Sequence, residues 1–198
     1  MKCSEICALI EQEYGTEYAC DWDNVGLLAG RSTKEVKKIL LSLDATDEVV
    51  RMAAEGGYDM LITHHPMLFS AIKRVTDQDM NGRRLLELIR NDISYYAMHT
   101  NYDTRGMADL AARLIGLTEC AVLEEVKDGE GIGRVGKLPH PMTLRECGEQ
   151  VKVAYGIPNV RLFGDPDTQV SLVGICPGAG KSTMPLALGF GCDVYITG

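Results

Sequence analysis

Apolar positions recur along this chain in two rhythms. Between Ser4 and Tyr14, the residues Ile6, Cys7, Leu9 and Ile10 fall at helical spacing, with Ser4 placed to cap the turn. A polar stretch, Asp21-Trp22-Asp23-Asn24-Val25-Gly26, then gives way to Leu27-Leu28-Ala29. Lys37 to Leu43 reads as a buried strand that ends on Asp44. Thr46 is positioned to cap a helix over 47–55, and Gly56-Gly57 stops it. A strand at 60–63, a helix at 81–90, a strand at 94–98 and a helix at 106–114 follow. Short apolar strands alternating with amphipathic helices predict an α/β fold with parallel strands.

The rhythm changes after this. Glu124 to Gly133 is charged and glycine-rich, which predicts a loop or a hairpin tip. Strands are predicted at 134–138, 160–163 and 170–176, helices at 144–154 and 184–188, and a last strand at 193–197. The pattern predicts two α/β lobes, 1–123 and 124–198. Ligand groups of open α/β sheets gather beyond the carboxyl ends of strands. The chain stops at Thr197-Gly198, so the second lobe is expected either to be incomplete or to close on that strand.

Composition narrows the function classes. Hydrophobic residues make up 45% of the 198, enough for a folded core. The net charge of -8 argues against binding a nucleic-acid backbone or an anionic membrane surface. No apolar run approaches the roughly 20 residues that span a bilayer. Glu5 and Glu11 interrupt any secretory signal. The seven cysteines, at 3, 7, 20, 120, 147, 176 and 192, contain no C-x-x-C pair. Free thiols in a core, in a reducing cytoplasm, are the expectation.

The chemistry gathers at strand ends. The chain has four histidines, and two are neighbours in Thr63-His64-His65-Pro66. A third follows another strand, in His99-Thr100-Asn101-Tyr102-Asp103. Parallel strands would present Asp44, His64, His65, His99 and Asp103 along one edge. Neutral imidazole and carboxylate suit Zn, Fe, Mn, Co or Ni, and hydrolysis by activated water is the reaction such a site supports. Adjacent histidines on extended backbone point apart. Both can serve one ion only where Pro66 re-aims the chain; two ions with a carboxylate between them would use both more naturally. Asp44 is evenly balanced between strand-end cap and partner of a ligand. Three other features carry weaker expectations. His140, between Pro139 and Pro141, belongs to a surface loop. Gly178-Ala179-Gly180-Lys181-Ser182 lacks the first glycine of a phosphate loop, Ile175 standing in its place, so a helix-capping turn is preferred to a nucleotide site. Trp22, the only tryptophan, is expected to plug the core rather than stack on a ligand.

Trp22-Asp23-Asn24-Val25-Gly26-Leu27, Leu43-Asp44, Thr63-His64-His65-Pro66, His99-Thr100-Asn101-Tyr102-Asp103 and Asp193-Val194-Tyr195-Ile196-Thr197-Gly198 occur in the order found in the Nif-three-like family. This family is also described as dinuclear metal centre hexameric proteins, or GTP cyclohydrolase I type 2 homologues, and the resemblance runs from Trp22 to Gly198. It implies two similar α/β lobes with mixed sheets and a cytoplasmic homohexamer whose metal sites face an internal cavity. It implies two divalent metal ions held by His64, His65 and Asp103, with His99 beside them as a catalytic acid/base or supporting group. Such a protein would take a small-molecule substrate, and the family label points to water attacking the purine ring of GTP with release of formate. Family members carry a later histidine and glutamate, four residues apart, that complete the dinuclear site; neither stands in this sequence after Thr197-Gly198. The rival expectation is a non-catalytic metal-binding scaffold or regulatory ring.

Overall fold

β3 (Met60–Thr63) and β4 (Ser94–Ala97) are buried at every position. Neither strand has a solvent face, and the reason is that helices cover both sides of their sheet. In a computed structural model describing residues 1–198, these strands form the centre of the first of two units, Met1–Tyr102. With β1 (Gly26–Ala29) and β2 (Ile39–Ser42) the sheet order is β1-β4-β3-β2. β2, β3 and β4 run parallel, while β1 runs antiparallel to β4. The sheet is therefore mixed, not wholly parallel.

The period-two alternation sorts side chains between two cores. Met60, Ile62 and Tyr96 meet Cys3, Ile6 and Cys7 of α1 (Cys3–Glu13). Leu61, Tyr95 and Ala97 meet Val50 and Ala53 of α2 (Asp47–Glu55) and Leu85 and Leu88 of α3 (Met80–Arg90). Thr46 caps α2 as expected, its hydroxyl accepting from the Val49 amide. α1 starts earlier than expected: Lys2, not Ser4, is its cap, and the Lys2 amide donates to Glu5. β2 departs from its expected burial. It is the edge strand, and Leu41 lies 72% exposed although its register partner Ile62 is buried under the α1 layer. The unit closes with α4, the short turn Thr100–Tyr102.

The second unit, Asp103–Gly198, opens with a π-turn (Asp103–Met107) and α5 (Ala108–Leu114). Then come β5 (Thr118–Lys127), β6 (Glu130–Thr143), α6 (Leu144–Tyr155), β7 (Gln169–Cys176), α7 (Met184–Gly189) and β8 (Val194–Thr197). The sheet order is β5-β6-β7-β8; only the last pair is parallel. The expected lobe boundary at 123 falls inside β5. Ala111, Ile115, Cys147, Val151, Val173 and Ile175 form one core beneath α5 and α6, while Leu123, Val135, Cys176 and Ala187 form the other. Arg134, 4% exposed, is the notable buried charge. Its guanidinium meets Asp109 at 2.6 Å and donates to the Gly131 and Gly133 carbonyls, which is how a buried cation is tolerated.

Of the two alternatives for 124–133, loop or hairpin tip, the hairpin is what forms, while a second predicted element is missing. The charged stretch 124–133 is mostly paired strand, with Glu124 opposite Ile132 and Glu125 opposite Gly131. The connecting turn is Asp128-Gly129, both at positive φ, the conformation that a two-residue hairpin requires. Residues 160–163 form no strand, and Phe163 is 87% exposed. No helix is long and apolar enough to cross a membrane.

Candidate metal centre

Parallel register places the ends of β3 and β4 side by side, with Thr63 opposite Ala97. His64 and His65 follow the first end; Met98 and His99 follow the second. The imidazole centroids stand 4.9 Å (64–65), 5.1 Å (64–99) and 5.7 Å (65–99) apart. One ring nitrogen from each can be chosen so that all three lie within 4.8 Å of one another.

Adjacent residues of a strand should diverge, yet these two rings are neighbours. The extended backbone ends at Thr63 and the chain bends through His64 and His65 before Pro66. Buried hydroxyls hold the bend. Thr63 Oγ1 donates to the His65 carbonyl at 2.8 Å, Tyr95 Oη contacts the same carbonyl at 3.2 Å, and the Met67 amide donates to Tyr95 Oη at 2.7 Å. Tyr95 is fully buried, so its position is set by the core.

Each imidazole is oriented by an oxygen at Nδ1. His64 Nδ1 is 3.0 Å from the Met98 carbonyl, His65 Nδ1 2.8 Å from Asp44, and His99 Nδ1 3.0 Å from both Asp23 oxygens. Carbonyl and carboxylate oxygens only accept, so Nδ1 donates in all three. That tautomer carries the lone pair on Nε2, the arrangement in which imidazole ligates a metal. The Asp23 side chain has no exposure. Burial alone would raise its pKa, but donation from His99, the Thr100 hydroxyl and the Thr100 amide outweighs this and lowers it to about 2. His64 is pushed below the usual imidazole value by burial first, then by His99 and His65. Its surroundings thus favour the neutral ring, the form that binds metal.

The donor set fits a divalent ion. Three imidazoles backed by two carboxylates match the borderline metals, with bonds of about 2.1 Å. Of the residues predicted from sequence, His64, His65 and His99 come together. Asp44 pairs with His65, as a partner of a ligand would. Asp103 is the first residue of the second unit, in its π-turn. His140 is exposed as expected, though within β6, where the pairing register shifts between Lys137 and Met142. Gly178 and Gly180 adopt positive φ, and their carbonyls accept from Thr197, Thr183 and Tyr195, so the turn is consumed in internal bonds. Trp22 does not plug the core; it is 59% exposed. Sequence reasoning missed Asp23. Its signal was a carboxylate beside the lone tryptophan in a polar turn.

A family profile described as Duf34/NIF3 (NGG1p interacting factor 3) matches residues 1–198. A Clostridium perfringens relative named "GTP cyclohydrolase 1 type 2 homolog" is 35% identical over 202 residues, covering 100% of this chain and 77% of the relative. A Clostridium acetobutylicum protein of the same name is 33% identical over 204 residues, covering 100% and 76%. Among solved structures, a Bacillus cereus protein related to NIF3 superposes with TM-score 0.92 at 24% identity, over 100% of this chain and 82% of that one. A Staphylococcus aureus hypothetical protein superposes with TM-score 0.87 at 28% identity, over 100% and 79%.

Proposed function

The chain belongs to the Duf34/NIF3 family, and from that premise we propose that it binds divalent metal at His64, His65 and His99 and serves as a metal-dependent hydrolase. The observation that carries the reading is the imidazole cluster, each ring held at Nδ1 by an oxygen and the three offering ring nitrogens within 4.8 Å of one another. When bound, divalent metal lowers the pKa of water and polarises the substrate. The chain's own part is positioning. Asp44 and Asp23 fix the His65 and His99 tautomers, and the Met98 carbonyl fixes that of His64. The Thr63–Tyr95 pair holds the bend that turns His64 and His65 to one side.

The family resemblance is what adds Asp103 to the proposed ligands, and a second ion rests on the same resemblance. Sequence reasoning gave His99 an acid/base role beside the metal; its place among the clustered imidazoles supports a ligand role instead. The relatives' printed name supplies the first substrate class to try, a purine nucleotide opened by water.

The test is turnover of GTP, and of simple phosphoesters, by protein stripped with chelator and then reloaded with Zn, Mn or Fe. Activity that returns with metal and is lost in His64→Ala supports the hydrolase. Activity indifferent to both treatments removes it. Metal bound without turnover leaves the scaffold reading.

A further inference from the structure

Two large aromatic side chains stand in solvent beside the imidazole cluster. Trp22 is 59% exposed and Phe69 49% exposed. Their ring centroids are 5.7 Å apart at an interplanar angle of 43°. Each also reaches His99, Trp22 at 6.2 Å and Phe69 at 6.4 Å, both nearly edge-on. Two such rings side by side form a contiguous apolar patch, the kind of surface that marks a binding site.

The loops that carry them are fixed. Trp22 is followed by Asp23, buried against His99 and Thr100, and by Asn24, whose side-chain amide donates to the Leu68 carbonyl. That bond ties the Trp22 loop to the Phe69 loop directly. Met67 and Leu68 are themselves buried, which leaves Phe69 facing out. The residues flanking both rings are thus anchored while the rings are not covered, a preformed aromatic surface next to the candidate metal ligands.

We propose that Trp22 and Phe69 are the positioning residues of this centre, a stacking platform that holds the flat heterocycle of the purine class proposed above beside His99. The inference rests on the metal-centre reading for its chemistry. Ring stacking needs only a flat π-face, and it favours heterocycles over sugars or aliphatic chains. A second copy of the chain is the competing occupant.

Trp22 is the only tryptophan, so its emission reports on the platform alone. The experiment titrates metal-stripped and metal-reloaded protein with guanosine and, in parallel, with ribose 5-phosphate, which lacks the ring. Light scattering and metal content are recorded on the same samples. The platform predicts saturable quenching by guanosine, none by ribose 5-phosphate, and unchanged mass. Phe69→Leu should weaken the guanosine response about tenfold, and Phe69→Tyr, which keeps the face, should restore it. Absence of quenching by millimolar guanosine in both forms overturns the proposal. So does emission that follows protein concentration in step with mass, which assigns the surface to a second copy. Metal content is read separately: protein that holds metal but ignores guanosine contradicts the platform, while protein that never holds metal contradicts the centre.

Discussion

Asp23 does the most with one side chain. It orients His99, receives the Thr100 amide and hydroxyl, and sits beside Trp22 with no exposure of its carboxylate. Its folded pKa, about 2, lies below the ordinary value near 3.9. A depressed acid stabilises the fold fully above its unfolded pKa, and that stabilisation is lost as pH falls through the folded one. Urea midpoints should therefore decline between about pH 4 and pH 2, and the decline should shrink in Asp23→Asn. A slope unchanged by the substitution would contradict the assigned role. Burial of the thiols gives a second expectation at this scale. Cys7 is pushed up to about 12, by burial first and then by Cys3. Native protein at pH 8 should leave it unlabelled by a thiol reagent, while exposed Cys120 reacts; peptide mapping distinguishes them. The histidines were legible in sequence because two adjoining imidazoles follow one apolar strand and a third follows another. Asp23 was not legible, because its partner lies 76 residues away and nothing local distinguishes an orienting carboxylate from a turn cap.

At the scale of elements, caps and periodicity fixed most of the helices. α6 begins with a reciprocal pair: the Glu146 amide donates to Thr143 Oγ1, and the Thr143 amide donates to Glu146 Oε2 at 2.8 Å. Thr143→Ala should cost about 1 kcal/mol of stability, measured by urea unfolding, with no change in metal content. A loss of metal alongside would mean that the second unit's helices bear on the centre. The open points and the errors have physical causes. Residues 124–133 left loop and hairpin tip open because their charges occupy solvated positions of paired strands, and the hairpin is the alternative that forms. Residues 160–163 looked like a strand because local apolar content does not reveal whether a partner edge exists. β2 looked buried because edge and centre of a parallel sheet read alike in hydrophobicity.

For the molecule as a whole, the fold class follows from sequence and the assembly does not. A mixed α/β architecture is written in the alternation of strands and helices, while strand order depends on contacts far apart in the chain. We carry the homohexameric ring forward as a proposal. Its support is apolar surface on the β2 edge, where Leu41 and Leu43 are 72% and 58% exposed. An uncovered edge strand is a template for pairing with another chain. Light scattering should give a mass about six times 21.7 kDa, and Leu41→Lys, at an already exposed site, should lower it without unfolding the chain. A monomer at all concentrations contradicts the ring. The central claim, three imidazoles gripping metal, is tested most directly by elemental analysis of the purified protein against His64→Ala, His65→Ala and His99→Ala, each verified as folded by circular dichroism. The account predicts bound divalent metal in the parent and its loss in every variant, with affinity about 10- to 100-fold weaker in Asp44→Asn. Metal content that is unchanged in all three histidine variants contradicts it.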